Sequence, residues 1–130
     1  MRLLLDTCAM IWFAEATSEL SPRAYEAIGH PENQTYVSPV SLMEIACLVQ
    51  RSRIQLTEHW RVWWHRQLDD NGWSAIPITS EIAAEAFSLP EPIHRDPADR
   101  LLIATARIED MTPITGDSLI LDFPHVRTLR

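Results

Sequence analysis

Three dipeptides, Ser21-Pro22, Ser38-Pro39 and Asp96-Pro97, divide this chain into segments. In each pair the small polar residue can cap a helix, and proline suits the first helical position because its missing N–H needs no partner there. Each pair therefore predicts the start of a helix. The three helices are expected over residues 22–30, 40–51 and 97–110.

Short apolar runs lie between the helical segments. They predict strands, and the remaining amphipathic segments predict further helices. The strands are expected at residues 2–5, 35–37, 75–78, 112–115 and 126–129, and the further helices at 7–14, 57–71, 80–89 and 118–121. Strands that alternate with longer helices are typical of a mostly parallel sheet covered by helices on both sides. We therefore expect one domain over residues 1–130, a three-layer α/β/α sandwich of the α/β class.

The chain has the composition of an ordinary globular domain, with 130 residues of which 46% are hydrophobic. It contains no apolar run near the ~20 residues that a membrane span needs and no secretory signal, so a cytoplasmic location is expected. Cys8 and Cys47 are too few for a disulfide framework or a zinc site. Reduced, buried thiols are the expectation.

The charge pattern excludes several function classes. The net charge of −7 argues against a broad basic surface for nucleic acid, although a local rim of basic residues remains possible. All eleven basic residues are arginine. Because the chain has no lysine, a phosphate-loop lysine, Schiff-base chemistry and a lysine general base are all excluded.

Three aspartates occupy positions where a parallel sheet places its ligands. Asp6 directly follows the first predicted strand, Asp117 follows the fourth, and Asp99 lies in the first turn of the helix that begins after Asp96. Strand ends and the starts of the following helices lie along one edge of such a sheet. Two simpler roles stay open: Asp99 can complement the helix dipole, and Asp117 can cap the next helical turn.

Glu44 is the fourth informative acid because it lies in an apolar helix that should be largely buried. None of its neighbours at helical spacing is basic, so its carboxylate must find a distant partner, a metal ion or a proton. The alternative is a capping box between Ser41 and Glu44, which has the right spacing. That alternative requires the helix to begin three residues later than Ser38-Pro39 predicts.

Acids that converge at one edge repel one another unless they are protonated or bridged by cations. Carboxylate oxygens without histidine favour Mg²⁺ or Mn²⁺ over zinc. Divalent ions held in this way hydrolyse phosphodiesters, since they activate a water molecule and offset charge on the leaving oxygen. The residues therefore support metal-dependent phosphodiester hydrolysis without a serine, cysteine or lysine nucleophile.

Four segments in this order, LLLDTCAMIW, SPVSLMEIA, HRDPADRLLIATA and TGDSLI, resemble the PIN-domain ribonucleases, and most closely the VapC-type toxins of type II toxin–antitoxin pairs. The resemblance covers essentially the whole chain. It implies a compact α/β/α fold whose acidic pocket binds Mg²⁺ or Mn²⁺ and cleaves RNA. The catalytic and metal-binding acids would be Asp6, Glu44, Asp99 and Asp117. Supporting or substrate-contacting residues would be Thr7, Asp96, Arg100 and Thr115.

The resemblance also implies partners. These are an RNA substrate (a tRNA or rRNA), a small antitoxin that covers apolar grooves and the acidic pocket, and a second copy of the chain, with the Trp60–Trp63–Trp64 helix as one candidate dimer surface. RNA contacts would come from a limited rim of arginines: Arg51, Arg53, Arg61, Arg66, Arg95 and Arg100. The alternative is a non-catalytic module of the same fold that binds RNA or a protein without turnover.

Overall fold

A sheet of parallel strands forms the centre of the protein, seen here in a computed structural model that describes residues 1–90 and 96–130. In the described part of the chain the strands are β1 (Arg2–Leu5), β2 (Gln34–Val37), β3 (Ser74–Ala75) and β4 (Thr112–Ile114). Their order across the sheet is β3-β2-β1-β4, and every neighbouring pair is parallel. Leu3 of the central strand β1 is in register with Thr35 on one side and Thr112 on the other.

Helices connect the strands and cover both faces of the sheet. They are α1 (Thr7–Glu15), α2 (Pro22–Gly29), α3 (Pro39–Gln50), α4 (Trp60–Asn71), α5 (Ser80–Ala86), α6 (Pro97–Ile108) and α7 (Ser118–Leu121). The three helix starts predicted from Ser-Pro and Asp-Pro pairs are confirmed. The side chains of Ser21, Ser38 and Asp96 accept hydrogen bonds from the backbone N–H groups two or three residues on.

Side chains of the central strand alternate between two cores. Leu3 and Leu5, both fully buried, point into a core that includes Met10 of α1 and Ile45 of α3. Leu4 points to the opposite face, where it lies in a separate core with residues of α6 such as Leu102. The predicted three-layer α/β/α sandwich is confirmed. No helix in the described parts of the chain is long and apolar enough to span a membrane.

The predicted strand at residues 126–129 is wrong. Only Leu129 pairs with the sheet, through an isolated parallel bridge to Ile114. Val126 and Leu129 are the apolar residues of this segment, and they pack into different cores. A spacing of three does not match the two-residue repeat of a strand, so the segment anchors at one residue and does not form a ladder.

Three other elements differ by three residues at one end from the prediction, and one of them is α5, which ends at Ala86 and not near Leu89 because its last backbone N–H, that of Phe87, turns to Ala84. β3 ends at Ala75 and does not reach Ile78, because Pro77 has no N–H to donate to the ladder. α4 begins at Trp60 and not at Thr57, since His59 caps it by accepting a hydrogen bond from the Arg61 N–H. All three differences lie at the ends of elements, where competing hydrogen-bond partners determine the last residue.

The outer side of α3 also differs from the prediction. The helix was expected to be buried nearly all round, but Met43 is 66% exposed and Cys47 and Gln50 are exposed too. Cys8 is exposed as well, so the expectation of buried thiols is wrong for both free cysteines. Periodicity shows that a helix is apolar, but only the packing of neighbouring elements determines which of its sides are covered.

Two of the three tryptophans in the Trp60–Trp63–Trp64 helix, the candidate dimer surface, are buried within this chain. Trp63 and Trp64 are only 6% and 4% exposed, and they pack in the core of this same chain. Trp60 is half-buried against that core. Two of the three indoles are therefore unavailable to a partner.

Candidate active site

Asp6 is the most enclosed acid of the candidate site. It directly follows β1 and caps α1, where its Oδ1 accepts a hydrogen bond of 2.7 Å from the Ala9 N–H. The residue is only 9% exposed. Burial raises the pKa of the Asp6 carboxyl, and the charges of Asp117 and Glu44 add to the rise. Hydrogen bonds to Asp6 from Thr115 and Ala9 offset part of this increase.

Thr115 connects Asp6 and Asp117, the acids that follow β1 and β4. Its side chain is buried and hydrogen-bonds to the Asp6 carboxylate, and its hydroxyl oxygen accepts a 3.0 Å hydrogen bond from the Asp117 N–H. Asp117 in turn caps α7 through a 2.8 Å hydrogen bond from the Leu119 N–H to its Oδ1. The predicted capping role of Asp117 is therefore real, and its carboxylate nevertheless lines the same pocket as Asp6.

Glu44 reaches the site from α3 and is held there by a hydroxyl of α1. Thr7 Oγ1 donates a hydrogen bond of 2.5 Å to Glu44 Oε1. The hydroxyl oxygens of Thr7 and Ser41 are 2.9 Å apart. Because the single proton of Thr7 goes to the carboxylate, Ser41 is the donor to Thr7. The capping-box alternative for Glu44 is excluded, since α3 begins at Pro39 with Ser38 as its cap.

The first turn of α6 adds the last two carboxylates. Asp96 caps the helix with a 2.8 Å hydrogen bond from the Ala98 N–H, and Asp99 follows as the third helical residue. Both residues line the pocket. The N-terminal end of a helix dipole favours negative charge, so this end of α6 is a suitable place for both side chains.

These acids surround one pocket of about 370 Å³ at the carboxyl edge of the sheet. Five of the described residues that line it are acidic, and no arginine is among them: Asp6, Glu44, Asp96, Asp99 and Asp117. A larger cavity of about 580 Å³ lies at the amino end of β2, but Asp70 is the one acid among its described lining residues. Charge, and not volume, therefore distinguishes the candidate site.

Cys8 lies at the mouth of this pocket. The residue as a whole is exposed, yet partial burial of its thiol and the nearby charges of Asp6, Glu44, Asp99 and Asp117 raise its pKa to about 11. A thiol with so high a pKa is almost fully protonated at neutral pH. Cys8 is therefore a weak nucleophile at neutral pH.

The arginines predicted near the site have other contacts. Arg100 is not among the residues lining the pocket, and its guanidinium lies 5.0 Å from the ring centroid of Phe87. Arg66 forms an ion pair with Glu58, and the guanidinium of Arg61 lies over the ring of Trp60. Arg95 lies outside the described residues. The structure therefore places none of the described arginines inside the acidic pocket.

The donor set fits a hard divalent cation. Carboxylate oxygens are the ligands that Mg²⁺ and Mn²⁺ prefer. Burial, together with the charges of Asp117 and Glu44, raises the pKa of the Asp6 carboxyl, and a bound cation would offset both effects. Within residues 1–90 and 96–130, no three His, Cys, Asp or Glu side chains are grouped closely enough to hold an ion by themselves. Mg²⁺ commonly binds through one or two carboxylates and keeps several waters, so a preassembled triad is not required.

Three residues of the site were not singled out from the sequence. Ser41 supports Thr7, and Trp12 and Gly116 line the pocket. The sequence could have indicated Trp12, because Cys8 and Trp12 are four residues apart and therefore share one side of α1. Ser41 is likewise one turn before Glu44. The contact of Ser41 with α1 and the contact of Trp12 with the loop after β4 depend on the tertiary fold.

The sequence of this chain matches a known protein family and a known relative. A family model for the PIN domain matches residues 3–126. Ribonuclease VapC22 of Mycobacterium tuberculosis is 34% identical over 125 residues, which cover 96% of this chain and 94% of that protein.

Solved structures with the same fold include VapBC2 from Rickettsia felis bound to a promoter DNA fragment, with a TM-score of 0.73 and 16% identity over 99% of this chain and 98% of that one. A toxin–antitoxin complex from Klebsiella pneumoniae has a TM-score of 0.66 and 19% identity, covering 98% of this chain and 96% of that one.

Proposed function

The chain belongs to the PIN domain family, and on that premise we propose that it is a divalent-metal-dependent endoribonuclease acting as the toxin of a toxin–antitoxin pair. One observation carries the proposal: four separate segments of the chain each direct carboxylates into one pocket. The ribonuclease relative and the toxin–antitoxin structures with the same fold support this assignment.

In this proposal Mg²⁺ or Mn²⁺ is held by the acids that follow β1 and β4, by α3 and by the start of α6: Asp6, Glu44, Asp99 and Asp117. The bound ion would supply an activated water and neutralise charge on the phosphodiester. The protein holds the carboxylates in fixed positions. Asp6 is fixed by its cap to Ala9, Glu44 is aimed by Thr7, and Asp117 is anchored through Thr115.

The pocket restricts which groups of the protein can take part in proton transfer. Its described lining contains no histidine or arginine, and the pKa of its one thiol, Cys8, is raised to about 11. Carboxylates are therefore the titratable side chains available near the reacting phosphate. Asp96 contributes to the negative potential from its cap position, so we propose a supporting role for it and a metal-binding role for Asp99.

RNA is the proposed substrate, as a tRNA or rRNA, and its contacts come from a limited rim. The net charge of −7 and the acidic pocket make broad phosphate binding unfavourable. Arg51 and Arg53 are exposed at the end of α3 and suit such a rim. Binding through few phosphates predicts only a shallow decrease of affinity with salt.

The proposed partners are a small cognate antitoxin and a second copy of the chain. An antitoxin that places a basic side chain among the pocket acids would offset their mutual repulsion. A suitable apolar surface exists outside the pocket, where Met43 of α3 and Trp60 of α4 line a cavity of about 570 Å³.

The test is cleavage of total cellular RNA by the protein purified free of antitoxin. We expect cleavage with Mn²⁺, none with EDTA, and none with Asp6→Asn. Asp69→Asn is the matched control, because Asp69 is exposed on α4 outside the described pocket lining. Folded wild-type protein that binds RNA but cleaves none with Mn²⁺ would overturn the proposal in favour of a non-catalytic binding module.

A further inference from the structure

Trp12 differs from the three tryptophans that are buried in the core. Trp63, Trp64 and Trp73 are 6%, 4% and 5% exposed, whereas Trp12 is only half-buried and its side chain lines the acidic pocket. It lies on the side of α1 that also carries Cys8. One part of the indole packs against the core and another part borders the pocket.

The loop after β4 fixes the position of this indole. A Cβ atom added to Gly116 would lie 3.0 Å from both Cζ3 and Cη2 of Trp12, which is closer than ordinary contacts allow. The outer end of the indole therefore rests directly on the backbone of Gly116. Since Gly116 separates Thr115 from Asp117, the ring has a defined position relative to the acids.

Trp12 is the single aromatic side chain among the described residues that line the pocket. The rest of that lining is acidic or small, and it offers a nucleotide no flat apolar surface. An RNA base needs such a surface, because stacking on an aromatic ring binds any of the four bases. A phosphate held beside the acids through the proposed divalent cation would bring its neighbouring bases close to the indole.

We propose that Trp12 is the stacking platform for a nucleobase next to the phosphate that the acidic pocket receives. This inference rests on the proposed ribonuclease function and adds a substrate contact to it. Trp12 is thereby a substrate-binding residue that recognises a base by its flat face, with little preference for its identity.

The experiment combines variants of the protein with abasic substrates. Wild type, Trp12→Leu and Trp12→Phe are compared by kcat/KM on a short RNA that wild type cleaves with Mn²⁺, and an abasic nucleotide is placed at each position beside the cut. We expect Trp12→Leu to lower kcat/KM by about 10- to 100-fold and Trp12→Phe to restore most of it. At one position the abasic substitution should lower wild-type kcat/KM by a similar factor and have little further effect on Trp12→Leu.

A purely structural role would give a different result. If the abasic penalty is equal in wild type and Trp12→Leu at every position, the stacking proposal is overturned. Trp60→Leu is the matched control, because Trp60 is also half-buried but lies outside the described pocket lining. In Trp60→Leu, an abasic nucleotide should lower kcat/KM by the same factor as in wild type at each position.

Two other outcomes of the experiment also have a defined meaning. If Trp12→Leu does not fold, Trp12→Met takes its place in the same comparison with the same criterion. Failure of wild type to cleave any RNA is seen in the first arm, before a variant is used, and it overturns the proposed function and not only the stacking contact.

Discussion

The hydroxyl of Thr7 donates a 2.5 Å hydrogen bond to Glu44, a residue 37 positions away on a different helix. Thr7 begins α1 directly after Asp6, and Glu44 lies in α3. The bond therefore fixes the orientation of Glu44 through the residue that directly follows Asp6. Ser41, fully buried and 2.9 Å from Thr7, holds the hydroxyl in this direction.

Thr7→Val removes this donor with little change of shape. We expect kcat/KM for RNA cleavage to fall about 10- to 100-fold, because Glu44 loses the group that aims it and small misplacements at a reacting centre are costly. Thr7→Ser keeps the hydroxyl and should remain near wild type. Equal activity of Thr7→Val and Thr7→Ser in single-turnover cleavage assays would contradict the positioning role.

Asp6→Asn should stabilise the metal-free protein at neutral pH. The folded-state pKa of Asp6 is raised, so its contribution to stability is complete at low pH and is lost as pH rises through that value. Asparagine carries no charge and can still cap α1. In EDTA we expect the Tm of Asp6→Asn to exceed that of wild type by a few degrees at pH 7 to 8.

Two controls accompany that measurement. The Tm difference should shrink as pH falls towards the ordinary pKa of an aspartate, because wild-type Asp6 then becomes neutral too. Added Mn²⁺ should reverse the order, since only wild type retains the full set of acids. A wild-type protein that is more stable than Asp6→Asn at every pH in EDTA would show that burial of this charge is not costly.

Thr115→Val should shift the pH dependence of cleavage. The hydrogen bond from Thr115 lowers the pKa of Asp6, so its removal raises that pKa further. If cleavage requires the ionised carboxylate, the acid limb of the pH–rate profile moves to higher pH. Thr115→Ser retains the donor and should leave the limb in place. If the acid limb of Thr115→Val is the same as that of wild type, the ionisation of Asp6 does not control the cleavage rate.

Cys8 should react slowly with iodoacetamide although it is exposed. Its pKa of about 11 leaves little thiolate at pH 8, and the greater nucleophilicity of that thiolate compensates only in part. We expect alkylation in EDTA to be about 10-fold slower than in the urea-unfolded chain, measured by peptide mass spectrometry. Asp117→Asn should accelerate it, because one of the neighbouring charges is removed. Equal rates in the folded and unfolded chains would contradict the raised pKa.

Local signals were sufficient for much of the fold. Each helix start at Ser21, Ser38 and Asp96 depends on a cap and a proline that are adjacent in sequence, so it could be predicted without tertiary information. The segment around Val126 could not be predicted in this way. Its apolar residues resemble a strand, and only the packing of Val126 and Leu129 into different cores shows that it forms none.

The sequence by itself determined that acids follow β1 and β4 and begin α6, because parallel topology brings strand ends to one edge of the sheet. The tertiary structure alone decided that Ser41 supports Thr7, that Trp12 rests on Gly116, and that the carboxyl of Asp6 has a raised pKa. Capping depends on neighbours within a few residues. Desolvation and side-chain contacts depend on atoms from distant segments, and these meet only when the chain is packed.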